Sequence, residues 1–180
     1  TPKEGITGGL VFVGHATTKD LAGKDLRGKI ALVAFTDDYV PWMSQAAYQP
    51  KLYGASAVIY YCEDSYAQDE SGEAFYVADW SGPNIDIPVL TIGKKFGQAL
   101  VGELEKQRLT VTVKSEVEIV EKSTGYNVVA MIQGTKYPEE YVILDAHTDA
   151  YFYGFMDDSL PMGLMLTIAK AMVESGYKPD

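Results

Sequence analysis

The residues best suited to chemistry stand close together in the last third of the sequence: Tyr141-Val142-Ile143-Leu144-Asp145-Ala146-His147-Thr148-Asp149, followed by Asp157-Asp158. The apolar run ahead of His147 has the make-up of a strand. A strand that leaves a buried sheet delivers its last residues to the crevice where α/β enzymes place ligands. There His147 can offer an imidazole nitrogen to a metal ion. Asp149, two residues on and on the same side of an extended chain, can hold the other ring N–H and fix the tautomer. Asp157, just ahead of an apolar helical stretch, can bridge two metal ions as two-metal hydrolases require. The same spacing also suits a strand-end histidine satisfied locally, with the aspartates as turn and N-cap residues, because His-x-Asp is short and common. Spacing alone leaves both readings open.

The elements that must position these residues follow from patterning. Residues 10–13 read as a strand, and residues 30–35 as a buried one, because the apolar run is continuous and Gly28 closes a turn before it. A helix fills part of residues 41–53, with Pro50 inside it, and ends at Gly54. Residues 56–62 (SAVIYYC) form another buried strand by their β-branched and aromatic content. Residues 63–86 are acidic and polar and read as a long surface excursion. Residues 87–92 are the next strand, with Pro88 at its start. Phe96, Leu100, Val101 and Leu104 recur at helical spacing. Residues 109–113 and 117–120 alternate apolar and polar, as half-buried strands do.

Composition shifts at Glu121-Lys122-Ser123-Thr124-Gly125, a charged connector ending in glycine. Beyond it, residues 127–132 and 141–146 flank a turn-rich link with Pro138 and read as a hairpin. Residues 161–173 form an almost wholly apolar helix that opens on Pro161 and is expected to be buried against a sheet. Two strands and one helix cannot bury such faces alone, so the second unit reads as truncated. The expected domains are residues 1–120 and an incomplete unit, residues 121–180.

The chain has 180 residues, enough for one or two domains, and its 47% hydrophobic and 22% charged content is that of a folded protein. A formal charge of -10 argues against a nucleic-acid partner, which needs a basic face. The acidity is concentrated between Leu52 and Gly93, where seven acidic residues meet no Lys or Arg. Within it, residues 63–86 lack the register of a calcium loop and read as a solvated loop. No apolar run approaches membrane-spanning length and no signal pattern opens the chain, so a soluble chain is expected, which leaves room for an anchor or leader that has been removed. The single cysteine, Cys62, rules out an internal disulfide or a cysteine-built zinc site and reads as a buried structural thiol. His15 reads as a loop histidine after a strand. The tyrosines, seven of thirteen lying between Tyr39 and Tyr76, read mainly as core and strand residues, with a recognition surface as the alternative.

The run Asn127-Val128-Val129-Ala130-x-Ile132-x-Gly134-Thr135-x-x-Pro138-Glu139-x-Tyr141-Val142-Ile143-Leu144-x-Ala146-His147-x-Asp149 resembles the opening of the zinc-dependent peptidase domain shared by bacterial aminopeptidases, glutamate carboxypeptidase and the transferrin receptor. Gly154-Phe155-Met156-Asp157-Asp158-Ser159 and the ten-residue step from His147 to Asp157 fit the same pattern. Asp158, where the family has Asn or Pro, and Leu160-Pro161, where it has Ser-Gly, depart from it. The first half resembles the protease-associated (PA) domain through Gly14, Thr17-Thr18-x-Asp20-Leu21, Asp25-Leu26-Arg27-Gly28-Lys29-Ile30-Ala31-Leu32-Val33, Gly54-Ala55-Ser56-Ala57-Val58-Ile59-Tyr60-Tyr61 and Ile87-Pro88-Val89-Leu90-x-Ile92. The two resemblances follow one another in the family's order.

The resemblance implies an α/β fold: a PA domain of the swivelling β/β/α type, followed by a truncated α/β zinc-peptidase unit. It makes His147 a terminal zinc ligand, Asp157 the metal-bridging carboxylate and Asp149 the partner of His147. Two zincs belong to the complete enzyme, whose general-base glutamate and remaining ligands lie downstream, so no catalytic base is expected within this chain. It further implies a peptide substrate, a PA domain acting in substrate access or protein interaction, a possible homodimer, and an extracellular or cell-surface setting. The alternative is a non-catalytic binding protein of the transferrin-receptor type.

Overall fold

The computed structural model describes residues 1–36, 43–64, 85–118, 120, 122–150 and 155–180. The chain divides into two compact units, Thr1–Ile119 and Val120–Asp180, each described by itself.

The first unit is built on a five-stranded sheet of β1 (Ile6–Phe12), β2 (Ile30–Thr36), β3 (Ala57–Asp64), β4 (Val89–Ile92) and β5 (Thr110–Val113), in the order β4-β3-β2-β1-β5. The pairs β1–β2, β2–β3 and β3–β4 are parallel, and β5 runs antiparallel to β1. The fold is therefore the mixed α/β type with a mostly parallel sheet. Every residue of β2 is buried, which explains why its sequence is continuously apolar rather than alternating. Its odd-numbered side chains (Ala31, Val33, Phe35) join Leu21, Ala46 and Ala47 on one face, where α1 (Thr18–Leu21) and α2 (Met43–Leu52) lie. Its even-numbered ones (Ile30, Leu32, Ala34) join Leu100, Val101 and Leu104 of α3 (Lys94–Leu104) on the other. Cys62 is buried in the first of these clusters.

Helix α1, which periodicity does not reveal because it is a single turn, rests on a capping box. Thr17 Oγ1 accepts the Asp20 N–H at 3.2 Å, and the Asp20 carboxylate accepts the Thr17 N–H, also at 3.2 Å. Helix α2 runs through Pro50 and stops before Gly54, whose φ of +93° is the left-handed conformation that glycine adopts without cost. The acidic excursion at 63–86 lies largely outside the described residues, as do Trp42, Trp80, Tyr39, Tyr66 and Tyr76. Tyr60 and Tyr61 are core residues.

Helix α3 approaches the sheet through Gly97. A methyl group there would land on Cβ and the ring of Tyr61, near the base of a side chain that is itself buried. At Gly102 of the same helix, the added carbon meets nothing within 4 Å. Gly97→Ala is therefore expected to destabilise the first unit by ~3 kcal/mol through overpacking. Gly102→Ala should instead stabilise by up to ~1 kcal/mol, as alanine does over glycine inside helices. Urea unfolding of the two variants separates them, and equal effects would refute the close approach.

Three sequence expectations are corrected. Residues 117–120 form no strand among those described; Val117 is 76% exposed, for β5 already occupies the antiparallel edge of β1 and among the described residues no strand pairs beyond it. Residues 127–132 and 141–146 form no hairpin. They run without ladder hydrogen bonds, and Val128 and Val142 are 94% and 95% exposed. Their β-branched composition favours a pleated, half-buried surface, and the second unit offers no such surface among its described residues. Helix α4 (Leu160–Ser175) forms where expected, with Pro161 in its first turn and Gly176 as a left-handed C-cap. The expectation that it is buried fails: Leu166 is 73% and Val173 70% exposed.

Candidate metal centre

The second unit gathers His147, Asp149, Asp157 and Asp158 at one point. His147 ends the extended segment, and the two later aspartates sit in a kinked turn, Phe155–Ser159, directly ahead of α4. Asp157 (φ -120°, ψ 96°) and Asp158 (φ -117°, ψ 24°) are non-helical and are joined by a cis peptide bond.

The imidazole is engaged on both nitrogens. Nδ1 lies 2.9 Å from the main-chain carbonyl of Asp149 and 3.1 Å from its carboxylate. Nε2 lies 2.7 Å from Asp157 Oδ1 and 3.3 Å from Asp158 Oδ2. The main-chain N–H of His147 donates to the same Asp158 oxygen at 3.1 Å. The His147 pKa is raised above its ordinary value, first because Nδ1–H donates to the Asp149 carbonyl. The Asp157 carboxylate and the charges of Asp158 and Asp149 add to this, while partial desolvation works against it.

Sequence reading places His147, Asp149 and Asp157 together as candidates, and the structure brings all three within hydrogen-bond distance. It treats Asp158 as a departure from a pattern; the structure sets that carboxylate beside the ring. The tandem of acids before a helix was the only signal available. His15, in the first unit, is a loop histidine whose Nδ1 lies 2.7 Å from the Ala34 carbonyl and whose Nε2 lies 3.7 Å from Glu63.

One donor atom each from His147, Asp157 and Asp158 lie within 4.8 Å of one another. An imidazole nitrogen and carboxylate oxygens are the donors zinc takes, each at about 2.0–2.2 Å, so this set fits part of a zinc coordination sphere. It is smaller than the four ligands of a tight site. With Nδ1–H committed to Asp149, the nitrogen left to coordinate is Nε2, the one that faces the two carboxylates.

Residues 6–100 match the PA domain model and residues 127–180 match that of peptidase family M28. The first match spans more than half of the chain, which therefore belongs to the PA domain family, with a segment of the M28 peptidase domain after it. The glutamate carboxypeptidase 2 homolog of Caenorhabditis briggsae is 30% identical over 74 residues, 41% of this chain and 9% of that protein. Carboxypeptidase Q of Bos taurus is 25% identical over 166 residues, 88% of this chain and 34% of that protein. The solved aminopeptidase from Aneurinibacillus sp. strain AM-1 is 32% identical, covering 63% of this chain and 26% of that one with a TM-score of 0.49. The chain thus spans about a third or less of the length of these relatives. A solved zinc aminopeptidase from Bacillus subtilis is 27% identical, covering 62% of this chain and 24% of that one with a TM-score of 0.45. Among the described residues, no helix is long and apolar enough to cross a membrane.

Proposed function

We propose that this chain is the PA domain and the opening of the metal centre of a zinc-dependent exopeptidase. The observation that carries the reading is the approach of Asp157 to His147 Nε2 at 2.7 Å, both within the stretch that matches a peptidase family. His147 would hold a zinc ion through Nε2 with Asp149 on its Nδ1–H, and Asp157 would be the carboxylate shared between two ions. Bound zinc supplies a Lewis acid for the scissile carbonyl and lowers the pKa of a bound water. A metal ion and a proton compete for Nε2, so uptake of the ion weakens as pH falls through the raised pKa of His147. The remaining ligands and the general-base glutamate come from outside residues 1–180, so the 180-residue chain by itself is inactive and binds zinc weakly.

The substrate is a peptide cleaved at one end, the PA domain serves substrate access or protein contact, a homodimer is one candidate assembly, and the setting is extracellular or at the cell surface. The peptidase names of the relatives support this reading over the receptor alternative. The test is exopeptidase assay, on amino- and carboxyl-terminal substrates, of a longer protein containing this chain, before and after chelation. Activity should vanish on chelation and return with zinc. Turnover that survives full metal removal would overturn the reading.

A further inference from the structure

Asp158 is the member of the cluster that the family pattern does not call for, yet it is the best anchored. Its Oδ2 accepts the main-chain N–H of His147 at 3.1 Å and lies 3.3 Å from Nε2. Its side chain is 27% exposed, against 65% for Asp157 and 93% for Asp149, so it is the acid held closest to the fold. Two atoms bound to one zinc at about 2.1 Å across a tetrahedral angle stand about 3.4 Å apart. The separation of Nε2 from Asp158 Oδ2 matches that spacing, whereas the 2.7 Å between Nε2 and Asp157 Oδ1 is shorter and of hydrogen-bond length.

Resting on the assignment of His147 and Asp157 as ligands, we propose that Asp158 is a third donor to the same cation, held in place by the bond it accepts from the His147 main chain. A carboxylate oxygen has the lone pairs to accept that N–H and bind an ion together. Asparagine would keep the acceptor but lose the charge, so the substitution separates holding the main chain from binding the metal.

The test is titration of the full 180-residue chain with aqueous Co²⁺, followed by visible absorption, then displacement by zinc. The variants are Asp158→Asn, Asp158→Ala and His147→Ala, with far-ultraviolet circular dichroism as the check on folding. The parent chain should bind, His147→Ala should abolish binding, and both Asp158 variants should weaken it by about tenfold or more. If Asp158→Asn binds as the parent does while Asp158→Ala is weakened, Asp158 only positions His147 and the donor assignment falls. It falls equally if both variants bind normally. If instead the parent shows no binding, or His147→Ala binds unchanged, the assignment of His147 and Asp157 fails with it.

Discussion

In the zinc exopeptidase proposed for this chain, Asp157→Ala is expected to abolish turnover and to strip the protein of most of its zinc. A bridging carboxylate holds both ions, so its removal loosens two metals at once and leaves His147 Nε2 without its 2.7 Å partner. Asp149→Asn is expected to do much less. The hydrogen bond that most strongly holds Nδ1 goes to the main-chain carbonyl of residue 149, which the substitution keeps; at the 3.1 Å side-chain contact only the charge is lost. That places Asp149→Asn near the lower end of the roughly 10–100-fold losses seen when a metal ligand loses its supporting partner. Turnover measured beside zinc content by atomic emission checks both. Near-normal activity in Asp157→Ala would show that the carboxylate does not bridge.

The contrast between these residues also bounds what the sequence could reveal. Strands β2 and β3 are legible because burial on both faces leaves a continuous apolar run, and α3 because its one apolar face repeats at helical spacing. The site is legible as far as short, fixed steps carry it: His147 to Asp149 along an extended chain, and His147 to the residue before an apolar helix. Asp158 is not, because its direction is set by the two non-helical residues at the turn, which no periodicity encodes. The misread hairpin has another cause. Val128, Val129, Val142 and Ile143 have strand composition, but a strand is made by the edge it pairs with and the layer that covers it, and neither is written in the segment itself.

That exposure carries the second large effect. Residues 1–122 produced alone are expected to unfold cooperatively with their thermal midpoint largely kept, whereas residues 125–180 alone should show no cooperative transition. The first unit holds two buried clusters, one on each face of its sheet, and its first residue is tied to the chain beyond β5 by the bond from Thr1 to the Ser115 carbonyl at 2.9 Å. In the second unit, no described residue from 120 onward is buried. Among its described residues the tertiary ties are few, such as Thr135 to the Pro179 carbonyl at 3.2 Å and the His147 cluster. Leu164, Leu166, Ile168 and Val173 of α4 are each about half exposed or more, an apolar surface that water disfavours and that a second copy can cover. The full chain should therefore associate through residues 145–176, and truncation after Lys122 should leave a monomer. Light scattering beside thermal unfolding reads both quantities on the same samples. If the truncated protein failed to unfold cooperatively, or stayed as associated as the full chain, the boundary near residue 120 and the independence of the first unit would both have to be given up.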